Sequence, residues 1–357
     1  MTTVDTLIAG QGLAGSLLAW HLVECGASVL VVDSPLPGAP GAAAAGVLNP
    51  ITGPRLVMGR EVPEMLATAA HTYGAIERAT GVALYRQMPL RRLVAGDDEL
   101  ARWRRRQDDA FYRPWLGELS PAGSHQPPLA DNHGSFLIHG AGIVDTAQLL
   151  NSLRSWLIAG DRLRHATLDA ADVSVGAGNI RWQDIRARHL VFCEGYRVTR
   201  NPWFNWLPIT PSRGESMIVH LPGAPESEVI HRRQTLVPLG GGRFRLGATW
   251  GRGQTSPVPT TAGRQQLLDG LSRLLHPVPP ARVLAHHAGV RPGCRHGPLY
   301  GLHPDEPGLA VMSGMASRGA LYAPLISRRL AHGLLTHPDT LPELESWRSS
   351  TRLARHS

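Results

Sequence analysis

The chain has 357 residues, 43% of them hydrophobic, which exceeds one average domain and is ordinary for a globular protein. Its formal charge of +8 comes with no lysine, since all 36 basic residues are arginine, so a lysine Schiff base or lysine general base is excluded. Cys25, Cys193 and Cys294 are far apart and form no CxxC, which speaks against a disulfide framework or zinc site, and no metal is expected.

The apolar run Val4 to Ala9 reads as a strand, followed by Gly10-Gln11-Gly12-Leu13-Ala14-Gly15, a helical stretch, and a second apolar run, Val29 to Val32, ending in Asp33. In such a unit the first glycine permits the tight turn, the second lets backbone approach a pyrophosphate, and the third lets helix pack on strand. The phosphates would sit on the helix N-terminus, and Asp33 would accept hydrogen bonds from the ribose hydroxyls. Ser34 and Pro35 follow Asp33, with no arginine close behind in sequence, so NADP is disfavoured and the choice lies between NAD and FAD. A strand starting this early leaves no room for a signal peptide, and no apolar run spans a bilayer. The cytoplasm is the expected compartment, and no membrane partner is expected.

Ser34 to Gly46 is a Pro/Gly/Ala segment whose small residues permit close backbone approach to a ligand. A helix is predicted over 61–80, ending at Gly81, then strand-like residues from Leu84 to Val94 and a charged helix holding Trp103-Arg104-Arg105-Arg106. Asp145 or Thr146 caps a helix over Ala147 to Ile158. The strand His189 to Cys193 ends in Glu194-Gly195, again suggesting backbone beside a cofactor. Antiparallel strands follow at Ser216–Leu221, Gln234–Leu239 and Arg243–Thr249, then a helix from Thr261 to Leu275. The last third holds strand Leu309 to Met312, the turn Ser313 to Ala320, and a helix from Leu321 to Leu335.

In this order, these segments resemble the D-amino-acid oxidase and glycine oxidase superfamily of FAD-dependent oxidoreductases. The resemblance rests on Gly10, Gly12, Gly15 and Asp33, the loop with Ala45 and Gly46, the strand closing at Gly195, Pro211 to Glu215, Leu246 to Thr249, Ala288-Gly289-Val290-Arg291-Pro292, and Ser313-Gly314 through Ala323-Pro324. It implies an α/β fold, in which a Rossmann-like FAD-binding domain (1–83, 136–207 and 284–357) is interleaved with an antiparallel-sheet α+β substrate domain (84–135 and 208–283). It also implies FAD, bound noncovalently because Cys294 does not fall where relatives attach the cofactor. The cofactor-binding positions are Gly10, Gly12, Leu13, Ala14, Gly15, Asp33, Ser34, Ala45, Gly46, Gly195, Gly314, Arg318, Gly319, Ala320 and Leu321.

In such families the arginine of Gly-(Leu/Val)-Arg-Pro, here Arg291, lies in the substrate cavity and pairs with a carboxylate, a task suited to a planar fork of donors. Arg318 matches a second arginine near the flavin. His286 and His287 precede Ala288, and alternation along a strand points one of them to the pocket, with His287 carried as the catalytic candidate. Trp250, Tyr300 and Tyr322 are candidate cavity walls. Sarcosine-oxidase-type relatives use a lysine in the reaction with oxygen; Arg245 stands near that position, which puts fast turnover with oxygen in doubt.

The expected function is oxidation of a C–N bond in an amino acid or carboxylate-bearing amine to an imine, by hydride transfer to flavin. A tRNA-modifying flavin oxidase, a flavin-dependent hydroxylase and a catalytically decayed nucleotide-binding scaffold are the alternatives. The pI near 10.2 fits an acidic partner, but arginine bias can follow from gene composition, so nucleic acid is the less favoured partner and a small-molecule amine the favoured one.

Overall fold

The computed structural model describes residues 1–34, 41, 43–125, 129–176 and 179–344; residues 35–40 and 42 of the small-residue segment lie outside them. The chain opens with β1 (Thr2–Ala9), α1 (Leu13–Glu24), β2 (Val29–Asp33), β3 (Val47–Leu48) and α2 (Val62–Thr80). Then come β4 (Tyr85–Gln87), β5 (Leu90–Leu93), α3 (Asp97–Gln107), β6 (Leu116–Ser120), β7 (Ser135–Ile138) and β8 (Gly142–Val144). α4 (Thr146–Ala159), β9 (Leu163–His165), β10 (Val173–Gly176), β11 (Asn179–Trp182) and β12 (Ile185–Phe192) complete the first half. The second holds β13 (Ile209–His220), β14 (Val229–His231), β15 (Thr235–Gly240), β16 (Arg243–Gly247) and β17 (Gly251–Arg252). It ends with α5 (Thr261–Leu271), β18 (Arg282–Cys294), β19 (Leu299–Leu302), β20 (Leu309–Ser313) and α6 (Gly319–Leu335).

Three sheets result, giving a mixed α/β fold. In the first, β9, β2, β1, β12 and β20 run parallel, with β10, β11 and β19 added antiparallel. Leu7 and Ile8 of β1 are both fully buried, as a central parallel strand covered on both faces requires. α1 and α6 pack on one face with Leu17, Leu18, Leu321 and Leu330; Phe192, Phe204 and Val311 fill the other. The second is a nine-stranded sheet built around β13, whose Met217 and Val219 pack with Leu267 and Leu271 of α5. The third is β3-β8-β4, lying beside the small-residue segment.

Several boundaries differ from expectation. Leu84 to Val94 is split at Met88-Pro89, so that β4 joins the small sheet and β5 the large one. α5 stops at Leu271, after which Arg273 and Leu274 tighten into turn bonds ahead of Pro277. Two ranges expected on the nucleotide-binding side begin with strands of the large sheet: β7 pairs with β5 and β6, and β18 pairs with β13 along its length. Backbone pairing, which composition does not reveal, assigns both to that sheet. Asp145 caps α4, accepting the Gln148 N–H at 3.0 Å, and Gly81 closes α2 at φ 71°. Among the described residues no helix is long and apolar enough to cross a membrane.

His21 of α1 is buried, with Nδ1 3.1 Å from Glu24 Oε2, and burial pushes its pKa from 6.5 down to about 4. The unfolded chain therefore takes up this proton first as pH falls, so the stability from the neutral ring is complete above about pH 6.5 and is lost toward pH 4. Urea denaturation should show a loss of about 2 kcal/mol from this group between about pH 7 and pH 5. His21→Gln should flatten that profile; a variant profile as steep as wild type contradicts the assignment.

Candidate active site

At the end of β1 the glycine turn is sterically committed. Gly10 has φ +102°, and a Cβ there would fall 2.7 Å from the Cys193 carbonyl oxygen; on Gly15 it would fall 1.9 Å from the Gly10 oxygen and 3.2 Å from Ile8 Cγ2. A Cβ on Gly12 meets nothing within 4 Å, which leaves that backbone open to a ligand. Gly12 is also the N-cap of α1 and makes no side-chain cap, with no acidic residue in the first turn. Free amides at a helix N-terminus with unobstructed approach can hold a pyrophosphate. Leu13 and Ala14 form the first helical turn beside it.

Asp33 closes β2 and accepts the Gln11 N–H at 3.0 Å, which aligns its carboxylate with the turn. Arg154 of α4 lies against its other oxygen at 3.1 Å and donates to the Gln11 side chain at 2.8 Å. An arginine does therefore reach this carboxylate, from 121 residues along the chain, so the charge-repulsion argument against a 2′-phosphate is weaker than the local sequence suggested. Ser34 accepts a hydrogen bond from Thr167 at 3.2 Å.

Gly46, at φ +65°, lets the small-residue loop cross β8, where a Cβ would fall 1.8 Å from the Val144 oxygen. Gly195 has φ +60°, and its carbonyl accepts the Ser313 hydroxyl at 3.0 Å, tying the end of β12 to the end of β20. Gly314, at φ +79°, turns the chain toward α6, whose first residue, Gly319, is so close to Leu13 that a Cβ would fall 3.2 Å from Leu13 Cδ2. The N-termini of α1 and α6 thus converge. Leu321 and Ala320 are buried: the Leu321 side chain enters the core and its N–H bonds the Arg318 carbonyl, while the Ala320 carbonyl takes the Tyr73 hydroxyl at 2.7 Å. Arg318 caps the turn, donating to Tyr322 Oη at 2.7 Å and to the Asn49 carbonyl at 3.3 Å; burial lowers its pKa.

Over this floor lies one face of the large sheet. Cross-strand register puts Thr235, Gly247, Ser216 and His287 in one row, with Gly214 and Gly289 in the next along β13 and β18. His286 faces the opposite side, 3.0 Å from the buried Glu215, so strand alternation leaves His287 toward the floor. Burial, then Arg245, then His286 hold His287 below the usual histidine pKa, so it is neutral. Ser216 donates to the Ala43 carbonyl at 2.8 Å, joining sheet and loop.

Arg291 folds over Gly214, where a Cβ would fall 2.0 Å from Nη2. Its guanidinium stacks 4.6 Å from the Trp250 ring centroid and donates to the Thr249 carbonyl at 3.5 Å. Burial alone pushes its pKa down to about 10, and no carboxylate among the described residues lies within ion-pair distance. A charge so placed is costly unless something negative joins it, and a carboxylate fits the fork. Trp250 is 60% exposed and covers the Arg291 guanidinium from the solvent side, and Tyr300 packs against the nucleotide-side core. A cleft of about 230 Å³ runs from Arg245 past Ala44 and Ala45 to Tyr85 and Asp145. Arg154, Gln11 and Ser216 had no sequence signal beyond the glycine motif, because their roles depend on contacts between distant segments.

The profile of the family described as DAO, FAD dependent oxidoreductase, matches residues 5–332. The chain belongs to this family. It is a FAD-dependent enzyme, and the cradle fits that cofactor: Gly10 and Gly15 exclude side chains, and Gly12 leaves the α1 amides open. The fold is similar to glycine oxidase from Geobacillus kaustophilus, 22% identical, with a TM-score of 0.80 and 97% of this chain and 98% of that one covered. Iminodiacetate oxidase from Chelativorans sp. BNC1 is 25% identical with a TM-score of 0.77, covering 96% and 98%. In sequence the chain is 29% identical to Bacillus subtilis glycine oxidase over 40% of its own length and 39% of that protein's. It is 26% identical to the Marinobacter nauticus tRNA 5-methylaminomethyl-2-thiouridine biosynthesis bifunctional protein MnmC, over 99% of this chain and 58% of that protein. The chain thus spans less than two thirds of the length of these sequence relatives.

Gly214→Ala tests how this DAO-family chain seats Arg291 without removing its charge. The new methyl occupies the guanidinium's place, so the variant should keep its flavin spectrum and bind acetate at least about tenfold more weakly, by roughly 1.4 kcal/mol. Unchanged acetate affinity contradicts the geometry.

Proposed function

We propose that the protein oxidises a C–N bond of an amino acid or other carboxylate-bearing amine to an imine, which water then splits to a carbonyl compound and an amine. The observation that carries this is Arg291, a half-buried guanidinium with no carboxylate partner among the described residues, set on a sheet face above the cofactor loop. When bound, FAD supplies the chemistry by accepting two electrons and the hydrogen from the carbon beside nitrogen. In this reading Gly10, Gly12, Leu13, Ala14 and Gly15 hold the pyrophosphate, and Asp33 and Ser34 face the adenosine ribose. Ala45, Gly46, Gly195 and Gly314 through Leu321 border the ring, with no covalent link through Cys294. The substrate is a small molecule met in the cytoplasm.

Arg291 fixes the carboxylate and so orients the C–H bond, while the sheet excludes water; Arg318, held by Tyr322 and the Asn49 carbonyl, stands at the α6 turn on the cofactor side. Hydride leaves a neutral amine, and His287, itself neutral and in the row beside Gly214, is placed to take the ammonium proton beforehand. Arg291→Gln should lower kcat/KM for carboxylate-bearing amines by about 10²-fold or more, chiefly through KM, with flavin content unchanged. Equal kcat/KM in variant and wild type rejects the anchor.

A second reading, a tRNA-modifying flavin oxidase, is favoured by the match to MnmC along 99% of the chain together with the charge of +8. It requires tRNA binding that weakens with salt on a log–log slope of several units. Binding indifferent to ionic strength removes it.

A further inference from the structure

The strap formed by residues 249–260 leaves the large sheet and returns to it at a single residue, Glu215. At its start the Thr249 N–H bonds the Glu215 carbonyl at 3.0 Å, and the Thr249 hydroxyl accepts the Glu215 N–H at 2.9 Å. At its end the Glu215 carboxylate accepts the Thr260 N–H and the Thr260 hydroxyl, both at 2.8 Å. Thr260 in turn caps α5 by accepting the Gly263 N–H at 3.0 Å. Gly263 must be bare there, since a Cβ would fall 2.3 Å from Glu215 Oε2. The carboxylate is buried, with Arg213 at 3.4 Å and His286 at 3.0 Å, so the far end of the strap is fastened to a charge that surrounding cations hold in place.

Between its ends the strap is lightly held. Gly251 and Arg252 pair with Arg213 and Ser212, the Gly253 N–H bonds the Pro211 carbonyl at 2.8 Å, and residues 252–256 are all exposed. Such a segment opens locally at little cost unless its ends are fixed. What it carries into the site is its first turn: the Thr249 carbonyl accepts Arg291 Nη1 at 3.5 Å, and the Trp250 ring centroid lies 4.6 Å from the Arg291 guanidinium carbon. The ring covers one face of the guanidinium and leaves the in-plane fork to a carboxylate, and a cation shielded from water on one face pairs more strongly at its edge.

We propose that Glu215 is a positioning residue of the substrate site: from the opposite face of β13 it holds both ends of the 249–260 strap, keeps Trp250 on Arg291, and so tightens the binding of a carboxylate that it does not touch. This rests on the reading of Arg291 as the carboxylate anchor.

The test follows two quantities in the FAD-loaded protein: hydrogen–deuterium exchange of the backbone amides of residues 250–259, and acetate binding read from the flavin absorption spectrum. Glu215→Gln, whose amide group cannot accept both Thr260 bonds, and Thr260→Val, which keeps the buried charge but loses the hydroxyl, should each speed exchange at least about tenfold and weaken acetate about fivefold. Thr260→Ser, which retains the hydroxyl, should match wild type in both. Trp250→Ala should weaken acetate by the same factor, and adding Thr260→Val to it should weaken acetate no further, because Glu215 acts through the ring. Wild-type exchange in Thr260→Val overturns the proposal, as does unchanged acetate affinity despite faster exchange, or a further loss in the double variant as large as in the single one. Should Glu215→Gln fail to fold, the Thr260 variants decide. Wild-type protein that binds no acetate rejects the Arg291 anchor instead, and faster exchange in Thr260→Val then upholds Glu215 as the clasp of the strap.

Discussion

A half-buried positive charge with no carboxylate partner among the described residues organises this molecule. Arg291 is held against bare backbone because Gly214 has no side chain, is stacked on Trp250, and is steadied by a single carbonyl contact. Such an arrangement is tolerable only where surrounding structure fixes it, and here the β13–β18 ladder, unbroken from Ile209 to Ile218, does so. The opposite face of that ladder is locked by Glu215, whose carboxylate takes the Thr260 N–H and hydroxyl, both at 2.8 Å, and meets His286. One face of the sheet is thus satisfied internally, and the other carries Arg291 and His287.

The floor beneath it is set by close packing. Gly15 against Gly10, Gly10 against Cys193 and Gly46 against Val144 bring backbone to backbone where any side chain would collide. These contacts place the β1–α1 turn, the end of β12 and the loop before β3 around one space, and the Gly319–Leu13 approach adds the α6 turn. Ser216 bonded to Ala43 then sets the distance between floor and roof.

Much of this could be read in the chain itself. The glycine turn, Asp33, the Gly81 and Asp145 caps and the strand carrying Arg291 are local signals, each forced by backbone geometry or by alternation within a few residues. What could not be read depends on contacts across the chain. Nothing near Arg154 says that it lies on Asp33, and nothing near Arg245 says that it bends back to Ser216. The same holds for β7 and β18, whose apolar content suits either sheet until their hydrogen-bonding partners are known. Leu321 is a further case: the turn motif names the residue, but not that its side chain enters the core and its N–H bonds the Arg318 carbonyl.

The central claim is that this DAO-family enzyme takes hydride from the carbon beside an amine nitrogen in a carboxylate-bearing molecule. The most direct measurement is to mix the yellow, FAD-loaded protein with amino acids and N-substituted amino acids in the absence of oxygen, and to record the flavin absorbance together with the products. The account predicts bleaching by carboxylate-bearing amines, with one carbonyl product for each flavin reduced, and none by the same amines lacking the carboxylate. Flavin that stays oxidised throughout the panel, or bleaches equally without the carboxylate, would contradict it.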